Sequence, residues 1–279
     1  MPHAYDNPGM TSPQLLFIGG GNMAGALIGG LIQAGSPASA ILVIEPQATQ
    51  RESLRQRFGV RVLEGAGDEL GEAQTVVWAV KPQSFAEAAA ACAPHFGAAL
   101  HISVMAGVRC AAIARRAGAR RIVRAMPNTP ALIGQGIAGL YASPQATGED
   151  RARAERLLDP TGQWLWVEQE AQLDAVTALS GSGPAYVFYL LEAMVDAGTR
   201  MGLPAEAAKR LVLGTFTGAA ALAAQSPLSP AQLREQVTSR GGTTAAALDV
   251  LGEHGVAQTF GAALQAAAKR AAELGDQLN

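Results

Sequence analysis

The sequence predicts an α/β chain in two parts, a doubly wound parallel sheet followed by an all-helical domain. Three observations predict it. An apolar strand, Leu15-Leu16-Phe17-Ile18, runs straight into Gly19-Gly-Gly-Asn-Met-Ala24 and then a helix. Strand-like and helix-like segments alternate regularly from there to Val167, as right-handed crossovers onto one sheet require. From Ala171 onward there are only helical segments, punctuated by Gly and Pro. Residues 1–14 therefore read as a disordered extension, 15–169 as the sheet domain and 170–279 as the helical domain.

The first element fits the G-x-G-x-x-A fingerprint of a Rossmann-type dinucleotide site. Gly19 permits the tight turn, Gly21 lets a pyrophosphate approach the backbone, and Ala24 keeps the helix close to the strand, with Asn22 and Met23 between them. That helix runs through Leu27, Ile28 and Leu31 and stops at Gly35, a C-cap glycine. Ile41-Leu42-Val43-Ile44 is a buried strand with Glu45 at its carboxyl end, placed to accept hydrogen bonds from an adenosine ribose. A helix over 47–58, a short strand at 60–62 and a helical turn at 66–71 follow.

Thr75-Val-Val-Trp-Ala-Val80 is almost uninterrupted apolar sequence, as in a strand buried on both faces. It ends at Lys81-Pro82. A helix to Ala93, a strand over 99–104 ending in Met105-Ala106-Gly107, a helix to Ala117 and a strand over 121–125 continue the pattern. The last strand leads into Met126-Pro-Asn-Thr-Pro130, a proline-braced loop that cannot extend a ladder and presents Asn128. Strands at 137–141 and 164–167, with a helix over 148–158 between them, are expected to extend the same sheet. Trp164 and Trp166 alternate there as packing residues.

All parallel strands end at one crevice, so Gly19, Gly21, Asn22, Met23, Ala24, Glu45, Ala79, Val80, Lys81, Pro82, Ala106, Gly107 and Asn128 are expected to line a cofactor site. Lys81, one of three lysines, suits a cofactor phosphate or ribose and would equally suit a solvated strand end.

In the helical half, Ser180-Gly-Ser-Gly-Pro184 is read as the start of a central helix reaching Gly202, apolar nearly all round. Pro204 to Ala224 forms another. So much apolar surface on so few residues predicts that this half completes its core against a second subunit. Further on, Ser229-Pro230 with Gln232 is a capping box that opens a short helix to about Val237. The segment Ser239-Arg-Gly-Gly-Thr-Thr244 lies between that helix and the next. Its glycines, free N–H groups and helix dipole favour a carboxylate or a phosphate, although a plain turn with an N-cap has the same letters.

Composition narrows the classes. The chain has 279 residues, 49% hydrophobic, enough for two cores. A net charge of -2 with scattered basic residues gives no footprint for nucleic acid. Cys92 and Cys110 have neither disulfide-framework nor zinc spacing, which fits a cytoplasmic protein. His3, His95, His101 and His254 have no metal-ligand spacing and are taken as structural or exposed. The alanine-rich runs are interrupted before membrane-spanning length, so no membrane association is expected.

Five segments together resemble pyrroline-5-carboxylate reductase: Gly19-Gly-Gly-Asn-Met-Ala24, Val80-Lys-Pro82, Arg124-Ala-Met-Pro-Asn-Thr-Pro130, Leu179-Ser-Gly-Ser-Gly-Pro-Ala-Tyr186 and Thr238-Ser-Arg-Gly-Gly-Thr-Thr244. The resemblance covers Leu15 to about Leu274. It implies reduction of 1-pyrroline-5-carboxylate to L-proline by NADPH or NADH, the last step of proline biosynthesis, in a homodimer of interlocked helical domains often assembled into decamers. It also implies that Ser239, Gly241, Gly242 and Thr243 hold the substrate carboxylate, with the Gly242 and Thr243 N–H groups as donors. Thr244 would act as the catalytic hydroxyl beside the ring nitrogen. One departure is Arg240, where the family has proline; it either loosens the turn or adds positive charge there. Glu45 favours NADH, while Arg51 could pair a 2′-phosphate. A β-hydroxyacid dehydrogenase of the 6-phosphogluconate type is the nearest rival, but it needs a catalytic lysine on the central helix, and 184–202 has none. A non-catalytic dinucleotide sensor would have no use for the second anion turn.

Overall fold

A computed structural model describes residues 14–278. Strands β1 (Leu15–Ile18), β2 (Ile41–Ile44), β3 (Arg61–Leu63), β4 (Thr75–Trp78), β5 (Leu100–Ser103), β6 (Arg121–Met126), β7 (Gly136–Ala142) and β8 (Gly162–Trp166) form one eight-stranded sheet. Its order is β3-β2-β1-β4-β5-β6-β7-β8, so the chain reverses direction across the sheet between β1 and β4. Helices α1 (Asn22–Gln33), α2 (Ala48–Phe58), α3 (Phe85–Cys92), α4 (Cys110–Ala117) and α5 (Gly148–Leu158) cover its faces. The expected extension lies outside the described residues up to 13. Its last residue does not belong to it, because the Gln14 N–H donates to the Ala40 carbonyl and the Gln14 carbonyl accepts from Thr75.

Alternation within each strand divides the sheet's side chains between two cores. Leu15, Phe17, Ile41, Val43, Val77 and Ile102 pack with Leu27, Ile28 and Leu157 on one face. Leu16, Ile18, Leu42, Ile44, Val76 and Trp78 pack with Phe85, Ala89 and Ile113 on the other. The last two strands run against the other six: β7 pairs antiparallel with β6 through Val123 and Ala142, and β8 lies parallel to β7. The segment from Pro127 to Gln135 is too short for a crossover, so the chain turns straight back.

The chain forms two compact units: one runs through Ser182 and takes in residues from Ala267, and the other is Gly183–Ala266. Helix α6 (Gln172–Val176) is thus grouped with the sheet rather than with the helices that follow, its Leu173 buried. The second unit holds α7 (Gly183–Arg200), α8 (Ala205–Gln225), α9 (Pro230–Gln236), α10 (Thr243–Glu253) and the first part of α11 (Val256–Leu278). The Ser229/Gln232 capping box is formed, both reciprocal bonds present. Helix α7 opens within Ser180-Gly-Ser-Gly-Pro184, at Gly183, with Pro184 in its first turn as the sequence predicts. The segment sits in a run that begins at Gln172 and passes through a π turn at Thr177–Gly181, where Ser182 N–H reaches the Thr177 carbonyl at 2.8 Å. Pro184 follows the π turn, in the first turn of α7, where a missing N–H breaks no helical bond.

Among the helices, α7 and α8 leave Phe188, Tyr189, Leu211 and Leu222 exposed, Tyr189 by 70%. No single described helix is long and apolar enough to cross a membrane.

A buried histidine offers a direct test of the packing. His101, 2% exposed, accepts the Trp78 indole N–H on Nδ1 at 3.0 Å and lies edge-on to Phe96. Burial, helped by the nearby Arg121 charge, pushes its pKa down to about 4. The folded protein therefore refuses a proton that the unfolded chain accepts near pH 6.5. Stability is expected to fall as pH drops from about 6.5 to about 4, by up to about 3 kcal/mol from this group. Urea melts across that range, compared with His101→Gln, which can still accept the indole proton, should show a flatter dependence for the variant.

Candidate active site

The carboxyl ends of β1, β2, β4, β5 and β6 carry the residues that the sequence singles out. Gly19 has φ +95°, and a Cβ there would lie 2.8 Å from the Ala79 carbonyl oxygen and 2.9 Å from Val80 Cγ1. Only glycine lets β1 turn this close to the end of β4. Gly21 is the N-cap of α1, with no side-chain cap and open space where its Cβ would point. The first N–H groups of α1 therefore remain available beneath an open approach, with no acidic residue in the first turn to compete. That arrangement fits a dinucleotide pyrophosphate.

Glu45 stands beside this turn and is 7% exposed. Its Oε2 accepts the Gly20 N–H at 2.9 Å and its Oε1 accepts the Gln47 N–H at 2.9 Å. Gln50 Nε2 donates to the Gly20 carbonyl, so both backbone polar groups of Gly20 are held. Lys81 is exposed, Pro82 opens a 3-10 turn, and Ala106-Gly107 follow β5. A Cβ on Gly107 would lie 3.3 Å from the Gly275 nitrogen, so the end of α11 rests on this loop. Asn128 is not simply presented to a ligand: its Oδ1 accepts the Ile137 N–H at 3.0 Å and ties the proline-braced loop to β7.

Behind the loops lies a polar cluster. Arg124, 4% exposed, pairs with Glu170 at 2.8 Å, and the same carboxylate oxygen accepts the Cys110 N–H at 2.7 Å. Burial and the Glu170 charge push the Cys110 thiol up to about 12, and burial raises the Tyr141 hydroxyl as well. Burial likewise moves Cys92 to about 11. Neither cysteine is a thiolate nucleophile at neutral pH. The need for a partner to Arg124 was legible from a charge within a buried strand; that Glu170 supplies it was not.

In the helical unit, Ser239-Arg-Gly-Gly-Thr-Thr244 forms a closed turn. Gly241 takes φ +71°, Gly242 caps α10, and the Gly242 N–H donates to the Ser239 carbonyl at 3.0 Å. The Gly242 N–H, expected from the resemblance to meet a ligand, closes the turn. The N–H groups of Thr243, Thr244 and Ala245, in the first turn of α10, have no acceptor within the helix. Arg240 does not open the turn. A Cβ on Gly242 would meet Ser239 Oγ, so the hydroxyl lies close against the backbone.

Two family models match the chain. One, described as pyrroline-5-carboxylate reductase dimerisation, covers residues 170–274, and the other, NADP oxidoreductase coenzyme F420-dependent, covers residues 14–107. The chain is 45% identical over 271 residues to a pyrroline-5-carboxylate reductase of Pseudomonas aeruginosa, covering 96% of this chain and 99% of that one. It belongs to the pyrroline-5-carboxylate reductase family.

Among solved structures of the family, that from Coxiella burnetii matches with a TM-score of 0.86 at 37% identity, covering 95% of this chain and 99% of that one. The Plasmodium falciparum enzyme, solved with NADP bound, matches at 0.84 and 28%, covering 96% and 100%. The N-terminal Rossmann-type sheet and helical C-terminal part expected from the sequence are thus those of the family. Its dimerisation model begins at residue 170, whereas the compact units divide after Ser182. Contacts of Glu170 with Arg124, and of Asp174 with Arg109 at 3.1 Å, bind this stretch to the sheet.

The two fingerprint glycines should respond differently to a methyl group. Gly19→Ala is expected to destabilise the fold by about 2 kcal/mol or more, through strain and collision. Gly21→Ala should melt close to wild type yet bind dinucleotide about tenfold or more weakly, because the added methyl occupies the pyrophosphate's approach. Thermal melts and fluorescence titrations read the two effects separately. Glu170→Ala should cost about 3 kcal/mol or more in chemical denaturation, since it strands the Arg124 guanidinium and the Cys110 N–H.

Proposed function

We propose that this chain is an NAD(P)H-dependent oxidoreductase that reduces the C=N bond of 1-pyrroline-5-carboxylate to give L-proline. Family membership at 45% identity over nearly the whole chain is the observation that carries the reading. The glycine turn, open α1 N-terminus and Glu45 support assigning the dinucleotide to the unit that runs through Ser182, at Gly19, Gly21, Asn22, Met23, Ala24, Glu45, Ala79, Val80, Lys81, Pro82, Ala106 and Gly107. Asn128 is assigned to holding its loop in place. The turn Ser239–Thr244 is assigned to the substrate carboxylate, with Thr243 and Thr244 as main-chain donors, Ser239 as a side-chain donor, and Gly241 and Gly242 shaping the bend.

The chemistry a reduced nicotinamide supplies when bound is one hydride. It adds to the imine carbon while a proton is taken up at nitrogen, which leaves the saturated ring acid. A protonated cyclic imine is already electrophilic, so the protein's main tasks are to fix the carboxylate and orient the nitrogen. Thr244, half-buried in the first turn of α10, is assigned as the hydroxyl that faces this nitrogen. Helix α7 carries no lysine, which speaks against the rival β-hydroxyacid chemistry. A sensor without activity would leave the Ser239–Thr244 turn unexplained.

The exposed apolar residues of α7 and α8 support a homodimer formed by the helical unit, with the decamer implied by the resemblance as the higher assembly. The buried, unpaired thiols of Cys92 and Cys110 suit the cytoplasm. Sedimentation at micromolar concentration is expected to give a dimer or larger; a monomer would refute this assembly.

Imine-dependent oxidation of NAD(P)H at neutral pH, and proline-dependent reduction of NAD(P)⁺ at high pH, test the reaction itself. Thr244→Val should lower kcat/KM by about tenfold or more, the worth of one hydrogen bond to the reacting group, and Thr244→Ser should recover most of it. A loss within about twofold would remove Thr244 from the mechanism.

A further inference from the structure

The reductase reading leaves the choice between NADH and NADPH open, and the loop after β2 bears on it. These two carriers differ only in the adenosine 2′-phosphate. A site that accepts this phosphate offers an arginine or open helix N–H groups after β2. In this chain the arginines are engaged, and the first-turn N–H groups of α2 lie beside a fixed carboxylate. The N-terminus of α2 is the natural place for such an anion, yet Glu45 already puts its own carboxylate there, on the N–H of the N-cap residue Gln47. Its other oxygen sits on the Gly20 N–H, within the glycine turn over which the adenosine ribose passes.

The nearby cations are directed elsewhere. Arg51 donates to the carbonyls of Glu45 at 3.1 Å and Pro46 at 2.7 Å, and pairs with Glu64 at 2.9 Å, which leaves its side chain 13% exposed. Arg55 donates to the Val62 carbonyl at 2.8 Å, Arg57 stacks 4.7 Å over the Phe58 ring, and Arg61 pairs with Glu69 at 2.9 Å. Every arginine of this segment is thus engaged with its own unit. Each Glu45 oxygen keeps a lone pair for a ribose hydroxyl, whereas a phosphate would meet a carboxylate fixed by two backbone bonds and unable to swing away.

We propose that this enzyme binds NADH in preference to NADPH, and that Glu45 sets the preference by accepting the ribose hydroxyls and opposing a 2′-phosphate. The proposal rests on the reductase reading, and equilibrium binding separates the two. Fluorescence titration of the wild-type protein is expected to give a Kd for NADH about tenfold or more below that for NADPH. The wild type should also bind 2′-deoxy-NADH severalfold more weakly than NADH. Glu45→Gln, which keeps the size and one acceptor but not the charge, should narrow the NADH-to-NADPH ratio by about threefold or more.

Equal or tighter binding of NADPH by the wild type overturns the preference while the reductase reading stands. Indifference to the 2′-hydroxyl, or an unchanged ratio in a folded Glu45→Gln, removes Glu45 as its source. Failure to bind either dinucleotide overturns both this proposal and the reading beneath it.

Discussion

A parallel sheet covered by helices on both faces has only its edges and its strand ends left for contact with ligands. Strands β3, β2, β1, β4, β5 and β6 run the same way, so the turns after them gather along one edge. The closeness of β1 to β4 then sets how tightly the first turn must bend. Gly19 answers that demand, because its hydrogen atom faces the Ala79 carbonyl where any side chain would collide. The position of α1, and so of its free N–H groups, follows from this one contact.

Carboxylates hold the loops in the shape the sheet begins. Glu45 ties the peptide of the glycine turn to the start of α2, and Glu170 ties β6 to the start of α4. In both cases a carboxylate takes N–H groups that lack partners at the end of an element, which a helix dipole also favours. Loops held in this way need little rearrangement when a ligand arrives. The proposed preference for NADH rests on the same fixity of Glu45.

The helical unit is built on a different principle. Its sequence is apolar around too much of each helix for one chain to bury, and large side chains such as Tyr189 and Leu211 stand exposed. A second copy is the natural cover, in keeping with a family model described by its dimerisation. Within the unit, the Ser239–Thr244 turn is closed by its own backbone through the Gly242 N–H, and the amides of α10's first turn have no acceptor within the helix.

The order of strands and helices, the glycine turn, the Ser229 capping box and the turn at Ser239–Thr244 were legible in the sequence, since each depends on neighbours a few residues away. Apolar period, turn glycines and caps act over that range. The antiparallel return of β7, the grouping of α6 with the sheet and the π turn before Pro184 were decided by packing. So were the partners of Arg124, Arg51 and Asn128, which tie those side chains to residues of their own unit, and the two backbone N–H groups that fix the Glu45 carboxylate. Local letters specify which groups a segment can offer; only the fold determines which of those groups other parts of the chain have already claimed.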